Sequence, residues 1–173
     1  NMFHVLRRQM VTKFRKPLVI FTPKSLLRHP KAISDLNDFS NGKIMPLIDQ
    51  NFFKSDQIKK VVFCSGKFYY DLLAHLEKNK INDVALVRLE QLFPLPYDDI
   101  QSILKKYSNA NDIVWAQEEP RNMGSWSHLI KIDDETDINY ELKEFSDHLN
   151  KFHKTGISTH TQSGCSFTVD DKF

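Results

Sequence analysis

The stretch Lys60-Val61-Val62-Phe63-Cys64-Ser65-Gly66-Lys67 decides the fold class of this chain. Its apolar run is typical of a β-strand that is covered on both faces, and Ser65-Gly66 provides a tight turn of small residues. An apolar helical pattern follows over residues 68–78. A strand, a short turn and a helix in this order predict one repeating unit of a parallel α/β sheet.

The same alternation continues towards the C-terminus. Residues 84–90 predict a second buried strand, which the prolines of residues 93–96 end. Residues 97–107 predict a helix with Ile100, Ile103 and Leu104 on one face, and residues 113–116 predict another strand. Beyond it, Gly124 and Trp126 open a predicted helix over Leu129 and Ile132, whereas residues 133–173 have no strong period and predict an irregular tail.

Towards the N-terminus, an apolar stripe of Phe3, Leu6, Met10 and Phe14 predicts a core-facing helix. The run Leu18–Phe21 predicts a buried strand, and residues 31–57 predict a poorly ordered excursion with short helical and extended pieces. The expected fold is therefore a three-layer α/β domain with a largely parallel sheet, which spans residues 1–173 and is a piece of a longer polypeptide.

Composition limits the class of protein. With 173 residues, 40% of them hydrophobic and 27% charged, the chain fits one globular domain that buries roughly 70% of its unfolded surface. The two cysteines lie far apart, which favours a reduced intracellular protein, and no apolar stretch reaches membrane-spanning length. The seven histidines show no metal-ligand spacing, and no serine or cysteine lies in a nucleophile motif, so the residues show no complete active site.

Positive charge is concentrated at the N-terminus. Residues 1–31 contain eight lysines and arginines and no acidic residue, although the whole chain has a net charge of only +2. Three interpretations stay open: a solvated basic face or pairing with the acidic remainder, a phosphate-bearing ligand, and a mitochondrial targeting helix. The targeting interpretation is weak because a strand-like core segment follows directly.

Two turns are candidate anion-binding sites. Thr22 is positioned to cap a short helical turn with Pro23 at its first position, which would place Lys24 and Arg28 near exposed backbone amides. The second turn, after the strand at residue 64, contains Ser65 and Lys67 but lacks the glycine spacing of a phosphate-binding loop, so a plain tight turn is the alternative. With the helix cations, the candidate anion-binding residues are Arg7, Arg8, Lys24, Arg28, Ser65 and Lys67.

The stretch 116–126, which reads AQEEPRNMGSW, lies at the end of the last predicted strand. Neighbouring strand residues point to opposite sides, so Glu118 and Glu119 are not expected to form a catalytic carboxylate pair. The preferred interpretation is an interface loop in which a carboxylate, an amide and an indole form hydrogen bonds with neighbouring backbone groups. The candidate interface residues are Glu118, Glu119, Asn122, Gly124 and Trp126.

Six stretches in consistent order resemble the C-terminal domain of 2-oxoglutarate dehydrogenase, over about residues 2–132. They are Leu6-Arg7-Arg8-Gln9, residues 15–19 (RKPLV), residues 22–30 (TPKSLLRHP), residues 64–72 (CSGKFYYDL), residues 88–92 (RLEQL), and residues 117–120 (QEEP) with Asn122, Gly124 and Trp126. The chain is also similar to the 2-oxoadipate paralogue, although residues 22–30 are closer to the 2-oxoglutarate enzyme. At the tail, Lys154-Thr155-Gly156-Ile157-Ser158 departs from the family pattern.

The resemblance implies a fold like the transketolase C-terminal domain, within an enzyme that decarboxylates 2-oxoglutarate on thiamine diphosphate with Mg²⁺. The succinyl group is then passed to the lipoyl arm of the succinyltransferase of the complex. In the family, the cofactor and the catalytic histidines belong to the preceding domains, so no residue of this chain is expected to be catalytic and the chain alone is expected to be inactive.

For this domain, the resemblance implies homodimer and domain contacts and, in several members, a regulatory site for AMP or acetyl-CoA. It also implies the mitochondrial matrix in a eukaryote or the cytoplasm in a bacterium. The alternative is a separate anion- or nucleotide-binding module, which the charge asymmetry favours. Nucleic acid is not an expected partner, since the basic residues lack interleaved aromatic side chains, and no membrane partner is expected.

Overall fold

The computed structural model describes residues 1–49, 53–120 and 122–131, and a four-stranded mixed sheet lies at their centre. The strands are β1 (Leu47–Asp49), β2 (Lys60–Cys64), β3 (Val84–Leu89) and β4 (Asp112–Ala116), in the order β1-β3-β2-β4. β2 pairs in parallel with both β3 and β4, whereas β1 is antiparallel to β3. The sheet is therefore mostly parallel, as predicted.

Helices cover both faces of the sheet. The helices of the described residues are α1 (Met2–Val11), α2 (Leu36–Ser40), α3 (Phe68–Asn79), α4 (Tyr97–Lys106) and α5 (Trp126–Lys131), with 3₁₀ turns at Lys24–Leu26 and Ser55–Gln57; α3, α4 and α5 cover the sheet. Val61 and Phe63 of β2 belong to the core shared with α4 and α5, while Val62 and Cys64 belong to the core shared with α3. The predicted three-layer α/β architecture is confirmed.

The predicted elements between residues 60 and 116 are confirmed, and their local sequences explain their ends. α3 ends at Lys80, which adopts a left-handed conformation with φ 55°, while the N–H of Ile81 donates to the Leu76 carbonyl oxygen. α4 has two aspartates in its first turn and two lysines in its last, which complements the helix dipole. Its apolar face buries Ile100 and Ile103, as predicted.

The prediction of a buried strand at Leu18–Phe21 is wrong for this structure. The four residues form no strand, and their exposed fractions are 41%, 71%, 39% and 94%. The apolar run has the composition of a buried strand, but within the described part of the chain no sheet edge pairs with it.

α1 forms as predicted, but its apolar stripe does not face the core. Phe3, Leu6 and Met10 are exposed, and Phe14 lies beyond the end of the helix. The buried residue of α1 is His4 instead. The predicted cap at Thr22 is also wrong, because Pro23 precedes the 3₁₀ turn as its N-cap and no side chain caps that turn.

Residues 31–57 contain a strand of the main sheet, which the prediction of a poorly ordered excursion did not identify. β1 pairs with β3 in the register Leu47↔Leu89, so this segment supplies one edge of the sheet. The predicted tail at residues 133–173, and Ile132, lie outside the described residues. None of the helices described here is long and apolar enough to cross a membrane.

Candidate functional site

The carboxyl ends of the parallel strands β2, β3 and β4 meet at one edge of the sheet. Ligand sites of open α/β sheets collect at this edge. Three loops lie there, at residues 65–67, 90–96 and 117–125, and each contains polar or charged side chains. This edge is therefore the candidate functional site.

At the end of β2, Lys67 is held by two carboxylates. Its Nζ atom lies 2.8 Å from Asp71 Oδ2 and 3.2 Å from Glu118 Oε1. The hydrogen bond with Asp71 is the largest of the effects that raise the pKa of Lys67. Lys67 therefore connects α3 with the loop after β4, and the two carboxylates balance its charge. The neighbouring Ser65 is half-buried.

At the end of β3, Arg88 lies among aromatic side chains. Its guanidinium carbon is 4.6 Å from the ring centre of Tyr69, and Nη1 donates to the Tyr70 hydroxyl over 3.0 Å. Nε lies 3.4 Å from Glu90 Oε1, which is an ion-pair distance, but its geometry is not that of a hydrogen bond. This cluster was not among the predicted site residues, although a single arginine within an apolar strand is a usable signal in the sequence.

Among the predicted N-terminal cations, the two arginines of α1 have neutral partners. Arg7 Nη2 donates to the Gly42 carbonyl oxygen over 2.7 Å, and Arg8 Nη1 lies 3.5 Å from Gln91 Oε1. Lys24 and Arg28 are exposed. Of the eight basic residues in positions 1–31, Lys31 alone forms an ion pair with a carboxylate within the described ranges. Within the described ranges, the other seven basic residues of this segment have no carboxylate partner.

The turn that contains Lys24 and Arg28 continues into a segment along α3. The ring of His29 lies 4.8 Å from the ring of Tyr70, and Lys31 pairs with Glu77. Within the part of the chain that the structure describes, no hydrogen bond or ion pair joins this turn directly to the α1 arginines or to Ser65 and Lys67. The six predicted anion-binding residues lie on three segments, which are α1, the turn at residues 24–28 and the turn after β2.

In the loop after β4, the side chain of Gln117 organises the backbone. Its Nε2 atom donates to the carbonyl oxygens of Glu119 and Met123 at 3.1 and 2.9 Å, and also lies 3.3 Å from that of Pro120. Its Oε1 atom accepts from Trp115 Nε1 and from the backbone N–H of Trp126 at 2.9 and 3.1 Å. One amide side chain thus connects the strand end with the start of α5.

Gly124 is needed beside this amide. Its φ is +65°, and an added Cβ atom would lie 2.9 Å from Gln117 Nε2. Both features oppose any larger residue at this position. An amide side chain that hydrogen-bonds to the backbone was predicted for this loop, but Gln117 was not named as that residue. Asn122, which it chose as an interface residue, is exposed.

The candidate interface residues lie on the outer side of the loop. Glu118, Glu119, Asn122 and Gly124 are exposed, while Trp126 is half-buried and packs against the core. Two large apolar side chains at the same edge are also exposed, Phe93 at 83% and Met123 at 59%. Exposed apolar side chains beside carboxylates are compatible with a protein contact.

The nucleophile and metal chemistry of the described residues is limited. Burial raises the pKa of the Cys64 thiol to about 12, so the thiolate form is suppressed at neutral pH. Across residues 1–49, 53–120 and 122–131, no three histidine, cysteine, aspartate or glutamate side chains are grouped so that they could hold a metal ion.

Comparison with known sequences matches residues 33–156 to the family 2-oxoglutarate dehydrogenase C-terminal. The chain is 50% identical over 127 residues to the 2-oxoglutarate dehydrogenase E1 component of Cupriavidus necator, an alignment that covers 73% of this chain and 13% of that protein. It is 48% identical over 146 residues to the 2-oxoglutarate dehydrogenase E1 component of Coxiella burnetii, covering 79% and 16%. It is 51% identical over 134 residues to the mitochondrial 2-oxoglutarate dehydrogenase of Caenorhabditis elegans, covering 75% and 13%. The chain thus spans between 13% and 16% of the length of these relatives.

Proposed function

The chain belongs to the 2-oxoglutarate dehydrogenase C-terminal family, and from this we propose that it works as the C-terminal domain of a longer 2-oxoglutarate dehydrogenase. That enzyme would decarboxylate 2-oxoglutarate with thiamine diphosphate and pass the succinyl group to a lipoyl arm. The family match over residues 33–156 is the observation that carries the proposal. The 2-oxoadipate paralogue is the alternative enzyme.

The proposal assigns thiamine diphosphate and Mg²⁺ to the rest of the parent enzyme. A magnesium diphosphate site needs convergent oxygen ligands, and no group of three possible metal-binding side chains is found in the described residues. The proposal therefore assigns no catalytic step to the described residues. The isolated chain is expected to be inactive.

In the parent enzyme, the loop of residues 117–126 would contact a neighbouring domain or the second subunit of a homodimer. The exposed positions of Glu118, Glu119 and Asn122 support this role. Gln117 keeps the loop in one conformation, so little ordering entropy would be lost on contact.

A regulatory anion site near the N-terminus is the second role that we propose for the domain. Arg7, Arg8, Lys24 and Arg28 lack carboxylate partners in the described part of the chain. A nucleotide or coenzyme A phosphate would complement their charge. Ser65 and Lys67 are weaker candidates, because an anion near Lys67 would compete with Asp71 and Glu118.

The catalytic proposal is tested on the protein that the upstream reading frame encodes. We expect the frame to continue upstream, and the long protein with thiamine diphosphate and Mg²⁺ to consume 2-oxoglutarate faster than 2-oxoadipate. A frame that opens at Met2, or a folded long protein without activity on either acid, would contradict the proposal. The cell compartment follows the host: the mitochondrial matrix in a eukaryote and the cytoplasm in a bacterium.

The regulatory proposal is tested by thermal unfolding of the chain with AMP or acetyl-CoA. We expect millimolar ligand to raise the melting temperature, because binding to the folded state alone stabilises it. Arg8→Ala or Lys24→Ala should abolish the rise. Lys78→Ala, which removes a positive charge from the last turn of α3, is the matched control and should retain it. Absence of a shift for both ligands would reject a site within this domain.

A further inference from the structure

The N-terminal segment, defined as residues 1–32, contacts the rest of the described domain mainly through polar atoms. The Asn1 side chain makes two hydrogen bonds with the backbone of Met45, at 2.8 and 3.0 Å. His4 Nε2 lies 2.8 Å from the Asp38 carbonyl oxygen. These contacts attach one side of the segment to residues 38–45, where the Phe3 ring also packs on the Phe39 ring with 5.3 Å between their centres.

Those apolar side chains are exposed along most of the segment. Their exposed fractions run from 39% for Ile20 to 94% for Phe21. Single exposed apolar residues are ordinary, but this density on a short stretch marks an interaction surface. The residues are Met2, Phe3, Leu6, Met10, Val11, Phe14, Leu18, Val19, Ile20, Phe21 and Leu27.

Within this surface, Leu18–Phe21 has the composition of an interior strand. Val19 and Phe21 are more exposed than the alternating residues Leu18 and Ile20, yet all four are apolar. Strands of parallel sheets have apolar residues on both faces because helices cover both. Within the described residues, no hydrogen bond joins the backbone of residues 18–21 to another residue. With respect to the described residues, their donors and acceptors are thus available for a ladder.

The extent of the family match points to the partner. The match begins at residue 33, directly after this segment, and the relatives are several times longer than the chain. A sheet in the upstream part of the same polypeptide would be covalently linked to the segment. That linkage gives it a higher effective concentration than a separate molecule.

We infer that Leu18–Phe21 is a β-strand of a sheet in the upstream part of the parent polypeptide, and that the apolar stripe of α1 packs on that sheet. The inference rests on the proposed function, since it requires a longer enzyme. The partner is an open, apolar sheet edge of the same chain. The N-terminal segment therefore connects two domains. It contacts the described domain mainly through polar atoms and the upstream sheet through apolar side chains.

Hydrogen exchange tests the inference directly. In the isolated chain, the amides of residues 18–21 should exchange at the rate of an unstructured peptide, while those of β2 are protected. In the long protein, both sets should be protected. Fast exchange at residues 18–21 in a long protein that is active on 2-oxoglutarate would overturn the inference and leave the proposed function intact. Protection in a long protein that lacks this activity would support the inference and reject the function.

A proline substitution provides a second test. Val19→Pro removes a backbone donor that makes no hydrogen bond to the described residues, so the melting temperature of the isolated chain should not change. In the long protein, the same substitution should lower the melting temperature by several degrees, because proline breaks the ladder of an interior strand. Val19→Ala controls for the lost side chain and should have a smaller effect. Equal melting temperatures for the proline and alanine variants of the long protein would overturn the inference.

Discussion

At the scale of single residues, Gln117 has more influence on local structure than the carboxylates beside it. Its side chain joins the indole of Trp115, the loop carbonyls and the first backbone N–H of α5. Glu118, in comparison, contacts Lys67 at 3.2 Å. The loop after β4 therefore depends on a neutral side chain, and its conformation should be insensitive to salt.

Gln117→Ala should lower the free energy of unfolding by about 2–3 kcal/mol, because several hydrogen bonds of about 1 kcal/mol each are lost together. Asn122→Ala is the matched control, since it removes an exposed amide of the same loop and should cost less than about 0.5 kcal/mol. Urea unfolding followed by circular dichroism measures both variants. Equal values for the two would contradict the role given to Gln117.

The buried thiol of Cys64 should make the folded chain less stable at alkaline pH. Burial raises its pKa from 9.0 to about 12, so above pH 9 the unfolded chain loses the thiol proton while the folded chain keeps it. Stability is therefore retained below pH 9 and falls as the pH rises towards 12, by a few kcal/mol at most. Cys64→Ala should be less stable at pH 7 but should have a shallower loss between pH 9 and 11. Parallel slopes in urea unfolding at these pH values would show that Cys64 is not responsible.

At the scale of elements, β1 is a three-residue strand that is secured by more than its ladder with β3. Asp49 Oδ2 accepts hydrogen bonds from Lys106 Nζ and the Tyr107 hydroxyl at 2.6 and 2.8 Å. The side chain of Asp49 is 8% exposed, whereas that of Lys106 is 48% exposed. The buried carboxylate thus connects the edge strand to the end of α4.

Asp49→Ala should destabilise the chain by about 2 kcal/mol, because the buried Tyr107 hydroxyl loses its acceptor. Lys106→Met should cost less than about 1 kcal/mol, since its ammonium group is half-exposed and returns to water when unpaired. Urea midpoints of the single and double variants form a cycle that isolates the coupling. A larger effect for Lys106→Met than for Asp49→Ala would contradict this explanation.

The sequence predicted those elements whose partners lie within the described domain. The runs at 60–64, 84–89 and 112–116 became strands because helices with matching apolar faces follow them or cover them. Leu18–Phe21 has equally favourable composition, but no sheet edge among the described residues pairs with it, so strand propensity was not sufficient. β1 was missed for the opposite reason: three residues show no period, and its position depends on pairing with β3.

The candidate site was predictable to a similar degree. Its location followed from the rule that strand ends collect ligands, and the basic residues were visible in the composition. Side-chain partners were not predictable, because Lys67 meets Glu118 only through the parallel pairing of β2 with β4. The Arg88 cluster was missed for the same reason, since Tyr69 and Tyr70 approach it from α3.

At the scale of the whole molecule, exposed apolar surface and unbalanced positive charge coincide in residues 1–32. We expect the isolated chain to self-associate with increasing concentration, since apolar surface drives association in water. Val19→Asp with Phe21→Asp should shift the chain towards the monomer in sedimentation velocity experiments. Ile33→Asp with Leu36→Asp, at sites of 81% and 87% exposure outside the segment, should have a smaller effect. A wild-type chain that stays monomeric at every concentration would contradict the expectation.

The antiparallel edge strand has a consequence for synthesis. β1 leaves the ribosome before β3, yet the register Leu47↔Leu89 means that it has no ladder until β3 has been made. The unit β2-α3-β3 closes first, because its contacts are nearer in sequence. We therefore expect β1, although it is synthesised first, to join the sheet only after β2 and β3 have paired. β4 then joins at the other edge.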